Sequence, residues 1–236
     1  MTETRYPGTE LDLFQHALRW KSYWASRLSS LLEGDVLEVG AGTGNNTQLL
    51  LSRSKPRSWT CVEPDVDLFR RLQDQCDCIH STRIHAVHGT IKDLDSSSRY
   101  DTVLYLDVLE HIEDDRTELA QAAALLHKDG HLIVLAPALP GLYSPFDAAI
   151  GHYRRYTKVA LQQLYPPACR LVRIEYLDSL GILTSYANRY LLKRAVPTYS
   201  NILFWDRIVV PVSLLFDKLI NRKIGKSLIA VWQRNT

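Results

Sequence analysis

No run in this chain approaches the roughly 20 consecutive apolar residues of a membrane-spanning helix. The opening MTETRYPGTELDLF has neither a basic n-region nor an apolar h-region. A secreted or membrane-spanning protein is therefore not expected, and the reading is a cytoplasmic chain. Cysteine is sparse as well: Cys61, Cys76, Cys78 and Cys169 show no paired zinc spacing, and Cys76 and Cys78 stand too close for a CxxC half-site. That leaves reduced, structural thiols rather than a metal centre built on sulfur. What the chain does hold, 46% hydrophobic and 23% charged residues over 236 positions, suffices for one full core.

The net charge of +2 conceals an uneven distribution. Residues 151–236 carry 14 Lys and Arg against 4 Asp and Glu, whereas the remainder carries 14 against 22. The basic third is interleaved with apolar stretches, Ile202 to Trp205 and Ile208 to Phe216. Such a pattern points to lipid, an acidic small molecule or a subunit surface before nucleic acid. The plainer alternative is a solvated face over an ordinary core.

The chain is organised around Asp35 to Thr47, DVLEVGAGTGNNT. Val36, Leu37 and Val39 make a short apolar strand; Gly40, Gly42 and Gly44 follow, and Asn45 to Thr47 start a helix. Glycines at such a turn bring backbone N–H groups against a ligand where a Cβ would intervene, so a nucleotide site is the first reading. The spacing is GxGxG and lacks the later glycine of the dinucleotide fingerprint, which makes NAD the weaker candidate. Trp59 to Val62 is a second apolar strand, closing with Glu63 some twenty residues past the glycines, where a carboxylate accepts both ribose hydroxyls. EVGAGTG followed by VEPD resembles motif I and the second-strand acid of class I S-adenosylmethionine-dependent methyltransferases. The resemblance implies in-line transfer of the sulfonium methyl to a nucleophile. On it, Glu38 anchors the methionine amine, Gly40, Gly42 and Gly44 admit its backbone, and Glu63 holds the ribose. In that family the helices before motif I cover the cofactor, so Trp20, Tyr23 and Trp24 within residues 9–33 either line it or belong to the core.

A third strand, about Ile84 to Val87, ends at His88, Gly89 and Thr90. Thr90 stands where many members of that family carry an acid against the adenine amino group, so the contact falls to Thr90, to the backbone of Ile91 or to Asp93. The fourth strand, Tyr100 to Leu106, leads into LDVLEHIEDD, which resembles the loop where cofactor and acceptor meet in methyltransferases ending this strand with VLEHI. Asp107, counted with the cofactor site, converges there with Glu110 and His111. His111 is either a base or orienting group, or a histidine that pins the loop. DxxEH also resembles the ExxEH with which ubiquinone-pathway O-methyltransferases and small-RNA methyltransferases hold a divalent metal. A metal on Asp107, Glu110 and His111 therefore stays open as an alternative to a metal-free site. Thr117 to His127 reads as an amphipathic helix stopped by Gly130, before a fifth strand, His131 to Ala136. The stretch Tyr143 to Thr157 ends in GHYRRYT and resembles the D...GHxRRYT signature of bacterial methyltransferases found beside polyprenyl-linked sugar pathways. There His152 suits a base, and Arg154, Arg155 and Tyr156 suit acceptor binding. In the alternative, the two arginines salt-bridge the acidic loop at 113–115.

These readings combine into an α/β fold, a Rossmann-like doubly wound seven-stranded sheet in a single domain. A helical cover spans 1–33, the core 34–177 and 226–236, and a helical insertion 178–225 precedes the last strand. Leu171 to Tyr176 and Lys226 to Trp232 are predicted to form a hairpin, the latter as the antiparallel edge partner. Helical spacing around Leu183, Tyr186 and Tyr190, and again at Leu214, Leu215 and Leu219, suits an acceptor pocket, a homodimer contact or peripheral membrane docking. The expected enzyme binds S-adenosylmethionine and releases S-adenosylhomocysteine. Its acceptor is a small molecule, by preference the oxygen of an anionic, natural-product or lipid-linked one, with no nucleic acid partner. One rival is a non-catalytic S-adenosylmethionine-binding interaction protein. Another, a nicotinamide oxidoreductase, lacks both GxGxxG and a Tyr-xxx-Lys pair, since Arg194 follows Tyr190.

Overall fold

The computed structural model describes residues 6–8, 10–79, 83–187 and 198–235. Its strands are β1 (Asp35–Val39), β2 (Ser58–Glu63), β3 (Ile84–His88), β4 (Tyr100–Leu106), β5 (Leu126–Pro137), β6 (Cys169–Leu177) and β7 (Ser227–Arg234). They form one seven-stranded sheet in the order β3-β2-β1-β4-β5-β7-β6. β1 to β5 are parallel, and β7 runs antiparallel between β5 and β6. The chain leaves β1 toward β2 on one side and returns to β4 on the other. A crevice for ligand therefore opens at the carboxyl ends of β1 and β4, the switch point of a doubly wound sheet. The doubly wound expectation holds, including the helical insertion before the last strand.

Helices cover both faces of the sheet: α1 (Glu10–Phe14), α2 (Leu18–Leu28), α3 (Asn45–Leu51), α4 (Val66–Cys78), α5 (Asp115–Ala124), α6 (Pro145–Ala149) and α7 (Lys158–Gln163). The insertion contributes α8 (Gly181–Ala187), α9 (Tyr199–Phe204) and α10 (Val210–Leu219), the last two joined by a π-helical turn, Trp205–Val209. One core gathers Leu37, Val103, Leu119 and Trp232; the other gathers Trp24, Val36, Trp59 and Trp205. Successive strand residues point to opposite faces, which is why neighbours Val36 and Leu37 fall in different cores.

Two expectations are corrected. The last strand is not at the edge: β7 is buried along nearly its whole length and β6 takes the edge, with alternating burial over Cys169–Arg173. Gly130 does not stop a helix. α5 ends at Ala124, and Gly130 lies within β5, where an added Cβ would meet the carbonyl oxygens of His127 and Asp101 at 2.9 and 3.0 Å. The strand needs glycine there because backbone passes close beside an irregularity in the β4–β5 register. Trp20, Tyr23 and Trp24 are buried in the second core, Trp20 packing on Trp205 at 5.7 Å between ring centroids. Of the insertion positions read as helical, Leu183 and Tyr186 lie in α8, while Tyr190 falls outside the described residues.

Buried carboxylates fasten the insertion to the core. Asp206 accepts the backbone N–H groups of Arg19 and Trp20 at 3.2 and 2.8 Å, completing the first turn of α2, which has no side-chain cap of its own. Asp217, fully buried, accepts the Tyr23 hydroxyl at 2.8 Å and the N–H groups of Asp178 and Ser179 at 2.7 and 3.0 Å. Replacing Asp217 with alanine strands three buried donors, and each costs about 1 kcal/mol or more. Urea denaturation of Asp217→Ala should show a loss of at least about 3 kcal/mol; a loss under about 1 kcal/mol would mean that water replaces the carboxylate at little cost.

Candidate active site

Gly40, Gly42 and Gly44 all have positive φ, at 67°, 58° and 80°. Gly40 is the position where glycine is required twice over. Its backbone is left-handed, and a Cβ would stand 2.7 Å from a Val108 methyl at the start of the β4 loop. Glu63, at the end of β2, reaches back to this turn and accepts the Gly42 N–H at 2.8 Å and the Asp65 N–H at 2.9 Å. Two of its lone-pair positions are thus engaged, and others remain for ligand hydroxyls. Burial raises the Glu63 carboxyl above its ordinary value, against the pull of those two N–H groups. Asp65 caps α4 through the N–H groups of Asp67 and Leu68.

Glu38 ends 2% exposed beneath the glycine turn. Its Oε2 accepts the Thr47 hydroxyl at 2.7 Å and the Trp59 indole N–H at 2.9 Å. Burial pushes its carboxyl up to about 7, with these two donors and Lys21 pulling the other way. Lys21 is a residue that sequence reasoning missed. It lies on α2 beside the three aromatics and interacts with both Glu38 and Asp107, although burial lowers its ammonium below the ordinary range. Thr90 is exposed, and its hydroxyl and N–H both donate to Asp93, at 3.0 and 2.8 Å, closing a capping box over Ile91–Asp93. Ile91 is buried beside it.

Asp107 holds a left-handed backbone, φ 57°, at the carboxyl end of β4. The residue is exposed, yet the protein around its carboxyl displaces enough water to raise it to about 6, opposed by His152, Lys226, Lys21 and Arg155. Lys226, Lys21, Arg155 and His152, from four separate segments, therefore act on this carboxylate. Lys226 precedes β7; it lies 3.5 Å from Asp178 and 3.7 Å from the centre of the Trp205 ring. Sequence spacing held no sign of it.

The GHYRRYT segment lies alongside residues 137–139 through a parallel bridge, Ala138 to Tyr156. Its organiser is Asp147, fully buried in α6, the acid of the D...GHxRRYT pattern to which the sequence reading gave no role, although SPFD has the form of a capping box. Asp147 accepts the Ser144 N–H and hydroxyl, both at 2.8 Å, and the Arg155 Nε and Nη2 at 2.8 and 3.1 Å; His152 Nδ1 lies 3.0 Å away. Burial works against its ionisation, but His152, Arg155 and Ser144 together hold its carboxyl well below the usual range. Arg155 is thereby fixed by Asp147, and its charge also acts on Asp107. Arg154 instead donates to Asp115 at 2.8 Å and to the Glu113 carbonyl at 2.6 Å, the loop-bridging alternative. Tyr156 is 2% exposed, and its hydroxyl donates to Asp115 at 2.8 Å, which places it in the scaffold behind the cleft.

His152 Nε2 points toward Glu110, 3.7 Å away, and its ring meets that of His111 edge-on at 4.6 Å between centroids. Glu110, His111 and His152 bring one donor atom each within 4.8 Å of one another. Glu110 is fully buried, and neither of its carboxylate oxygens has a hydrogen-bond partner. The metal-type cluster thus contains His152 where the sequence suggested Asp107. A cleft of about 800 Å³ between Ser29–Gly34 and Arg53–Arg57 opens at the amino ends of β1 and β2, the opposite end from this chemistry.

A family model described as a methyltransferase domain matches residues 14–177. No curated protein matches the chain by sequence. Among solved structures it resembles the N-methyltransferase NodS from Bradyrhizobium japonicum WM9 in complex with S-adenosyl-l-homocysteine, at 15% identity over 94% of this chain and 88% of that one, with a TM-score of 0.59. It is also similar to coclaurine N-methyltransferase bound to N-methylheliamine and S-adenosylhomocysteine (13% identity, 92% and 72% covered, TM-score 0.61). A third likeness is an S-adenosylmethionine-dependent methyltransferase from Clostridium acetobutylicum (10% identity, 93% and 92% covered, TM-score 0.58). At these identities the likeness is one of fold.

His111 gives the site a pH signature. Burial and the neighbouring His152 lower its imidazole from the ordinary 6.5 to about 4. Between those values the unfolded chain binds more protons than the folded one, so stability rises with pH across the window. The penalty for His111 is absent above pH 6.5 and reaches about 3 kcal/mol near pH 4. His111→Gln should flatten that limb of a stability–pH curve measured by urea denaturation; a variant that tracks the wild type across it would assign the acid limit to other groups.

Proposed function

This chain belongs to the methyltransferase-domain family and is an S-adenosylmethionine-dependent methyltransferase, and we propose that it methylates an oxygen of an anionic or lipid-linked small molecule. The observation that carries the acceptor class is that Lys21, Arg155 and Lys226, with His152, all act electrostatically on Asp107 at the end of β4. Lys21, Arg155 and Lys226 bring cationic groups to this side of the cleft, and such groups suit an acceptor bearing phosphate or carboxylate. The oxygen preference rests on His152, whose Nδ1 side is held by Asp147 and whose Nε2 side faces the interior of the cluster. A carboxylate behind the imidazole fixes its orientation and stabilises the cation formed when it takes a proton from an attacking hydroxyl. The solved relatives NodS and coclaurine N-methyltransferase carry N-methyltransferase names, so acceptor screening has to include amines.

On this reading the cofactor lies across the carboxyl ends of β2, β1 and β4. Glu63 receives the ribose hydroxyls, and the turn from Gly40 to Gly44 lets the methionine part approach the backbone. Glu38 takes the ammonium while Lys21 takes the carboxylate. Thr90 and Ile91 stand at the adenine end, with the Thr90 hydroxyl already bound to Asp93, so backbone groups supply the adenine contact. Glu63→Ala should lower affinity for S-adenosylmethionine and S-adenosylhomocysteine roughly tenfold to a hundredfold, since hydrogen bonds to an ionised group are worth about 1.5–3 kcal/mol. Isothermal titration reads this directly; unchanged affinity sinks the ribose assignment.

A specific observation supports a second reading, assistance by a divalent cation. Glu110 is fully buried with both oxygens unpartnered, two imidazoles stand beside it, and Asp147 backs one of them. Buried polar atoms without partners are rare in folded proteins, and a carboxylate with two imidazoles suits a borderline metal such as zinc or manganese. Such a cation would orient the acceptor oxygen and favour its deprotonated form. Titration with zinc or manganese alone separates the two readings. Heat from metal binding that disappears in Glu110→Gln, together with turnover lost on chelation, favours the metal. Turnover indifferent to chelation but lost in His152→Ala, with cofactor affinity retained, favours His152 as the base.

A further inference from the structure

We propose that the helix from Tyr199 to Leu219 docks this enzyme on the surface of an anionic lipid bilayer. α9, the π turn and α10 follow one another without a break, a rod about 30 Å long at 1.5 Å per residue. One side is seated on the protein: Ile202, Trp205, Asp206, Val210, Ser213 and Asp217 recur every few residues and are buried. A helix seated this way ordinarily turns polar side chains to water on its other side. Here Phe204, Ile208, Val212, Leu215, Phe216 and Leu219 recur with the same period and are exposed, Leu215 by 63% and Leu219 by 82%. A contiguous apolar stripe of that length marks an interaction surface.

Charge selects the occupant. Both acids of the helix, Asp206 and Asp217, face inward and are bonded to α2 and the loop after β6. Arg207 and Lys218 are exposed on the same helix, and Lys223 follows it, exposed as well. The helix therefore presents cations and apolar side chains and no exposed carboxylate. A second copy of this chain seated across a twofold axis would set those cations against themselves, whereas anionic headgroups complement them. Among the described residues no helix is long and apolar enough to cross a membrane. The helix accordingly lies in the interface, its apolar side toward the acyl boundary and its cations at the level of the phosphates. The docked surface is tied directly to the cleft: Asp206 holds the start of α2, which bears Lys21, and Trp205 packs against Lys226.

The proposal stands on the helix alone, and a test without turnover keeps it separate from the acceptor reading. The full chain is floated with vesicles of phosphatidylcholine, and with vesicles of phosphatidylcholine mixed with phosphatidylglycerol, at low and high salt. The wild type should float with the anionic vesicles at low salt and be released by high salt. Leu215→Glu, at an exposed position, should lose at least about tenfold in partitioning while retaining its affinity for S-adenosylhomocysteine. Arg207→Ser and Lys218→Ser should each lower partitioning roughly fivefold. A wild-type chain that stays unbound with anionic vesicles overturns the proposal, as does a Leu215→Glu chain that floats like the wild type. A wild-type dimer in light scattering that Leu215→Glu splits would assign the stripe to a second copy instead.

Discussion

Removing a carboxylate from water costs several kcal/mol unless donors surround it, and this fold is held together where that condition is met. Asp217 gathers α2, the loop after β6 and α10 around one side chain. Asp147 does the same for α6 and the GHYRRYT segment, and Asp115 for α5, Arg154 and Tyr156. Glu38 ties the first strand to α3 and to β2 through Thr47 and Trp59. Each of these acids is buried because distant parts of the chain converge on it, and each convergence fixes a wall of the cleft. Glu110 breaks the pattern: it is as buried as the others and has no hydrogen-bond partner for either oxygen. Burial and Asp107 push its carboxyl well above the ordinary range. Here the protein itself leaves the condition unmet.

The insertion and the catalytic cleft are one mechanical unit. Asp178, fully buried and left-handed at φ 60°, accepts the Trp205 indole at 2.7 Å and the Ser213 hydroxyl at 2.6 Å, and stands 3.5 Å from Lys226. Lys226 in turn faces Asp107. A force on α10 thus reaches the acceptor side of the cleft through two contacts, Ser213 to Asp178 and Asp178 to Lys226. The uneven charge of the chain follows from the same arrangement. All four acids of residues 151–236, Glu175, Asp178, Asp206 and Asp217, are buried, so the surface of that third has no acid of its own to offset its cations.

What the sequence revealed were features written in a short stretch. The glycine turn and Glu63 at the end of β2 each need only a strand, a turn and a helix start in succession, and both are in place. The seven strands were recognisable from apolar runs, but their neighbours were not. β7 looked like an edge because its alternation of Leu228, Ala230 and Trp232 says which face each residue takes and nothing about how many strands flank it. Lys21 was hidden among aromatics that proved to be core, and Lys226 was read only as the first residue of the last strand. Both matter only because the fold carries them to Asp107. Tyr156 and Arg154 show the reverse. Their residue types suit a site, yet Asp115 lies close enough in space to hold both.

Methyl transfer imposes a charge balance that this cleft is arranged to keep. The cofactor enters with a sulfonium cation, and its product carries a neutral sulfur. If the acceptor is a hydroxyl, its proton leaves at the same time, so one positive charge vanishes at sulfur and one must appear at a base. His152 on the proposed reading receives it, next to Asp147, which stays ionised under nearly all conditions. Asp107, at about 6, is already largely ionised at neutral pH, whereas burial holds Glu38 up to about 7. If the cofactor's ammonium is received by Glu38, as proposed, its arrival favours the ionised form of that carboxyl. Binding of the cofactor and ionisation of Glu38 are then coupled on that reading, while Asp107 supplies a negative charge that is in place beforehand.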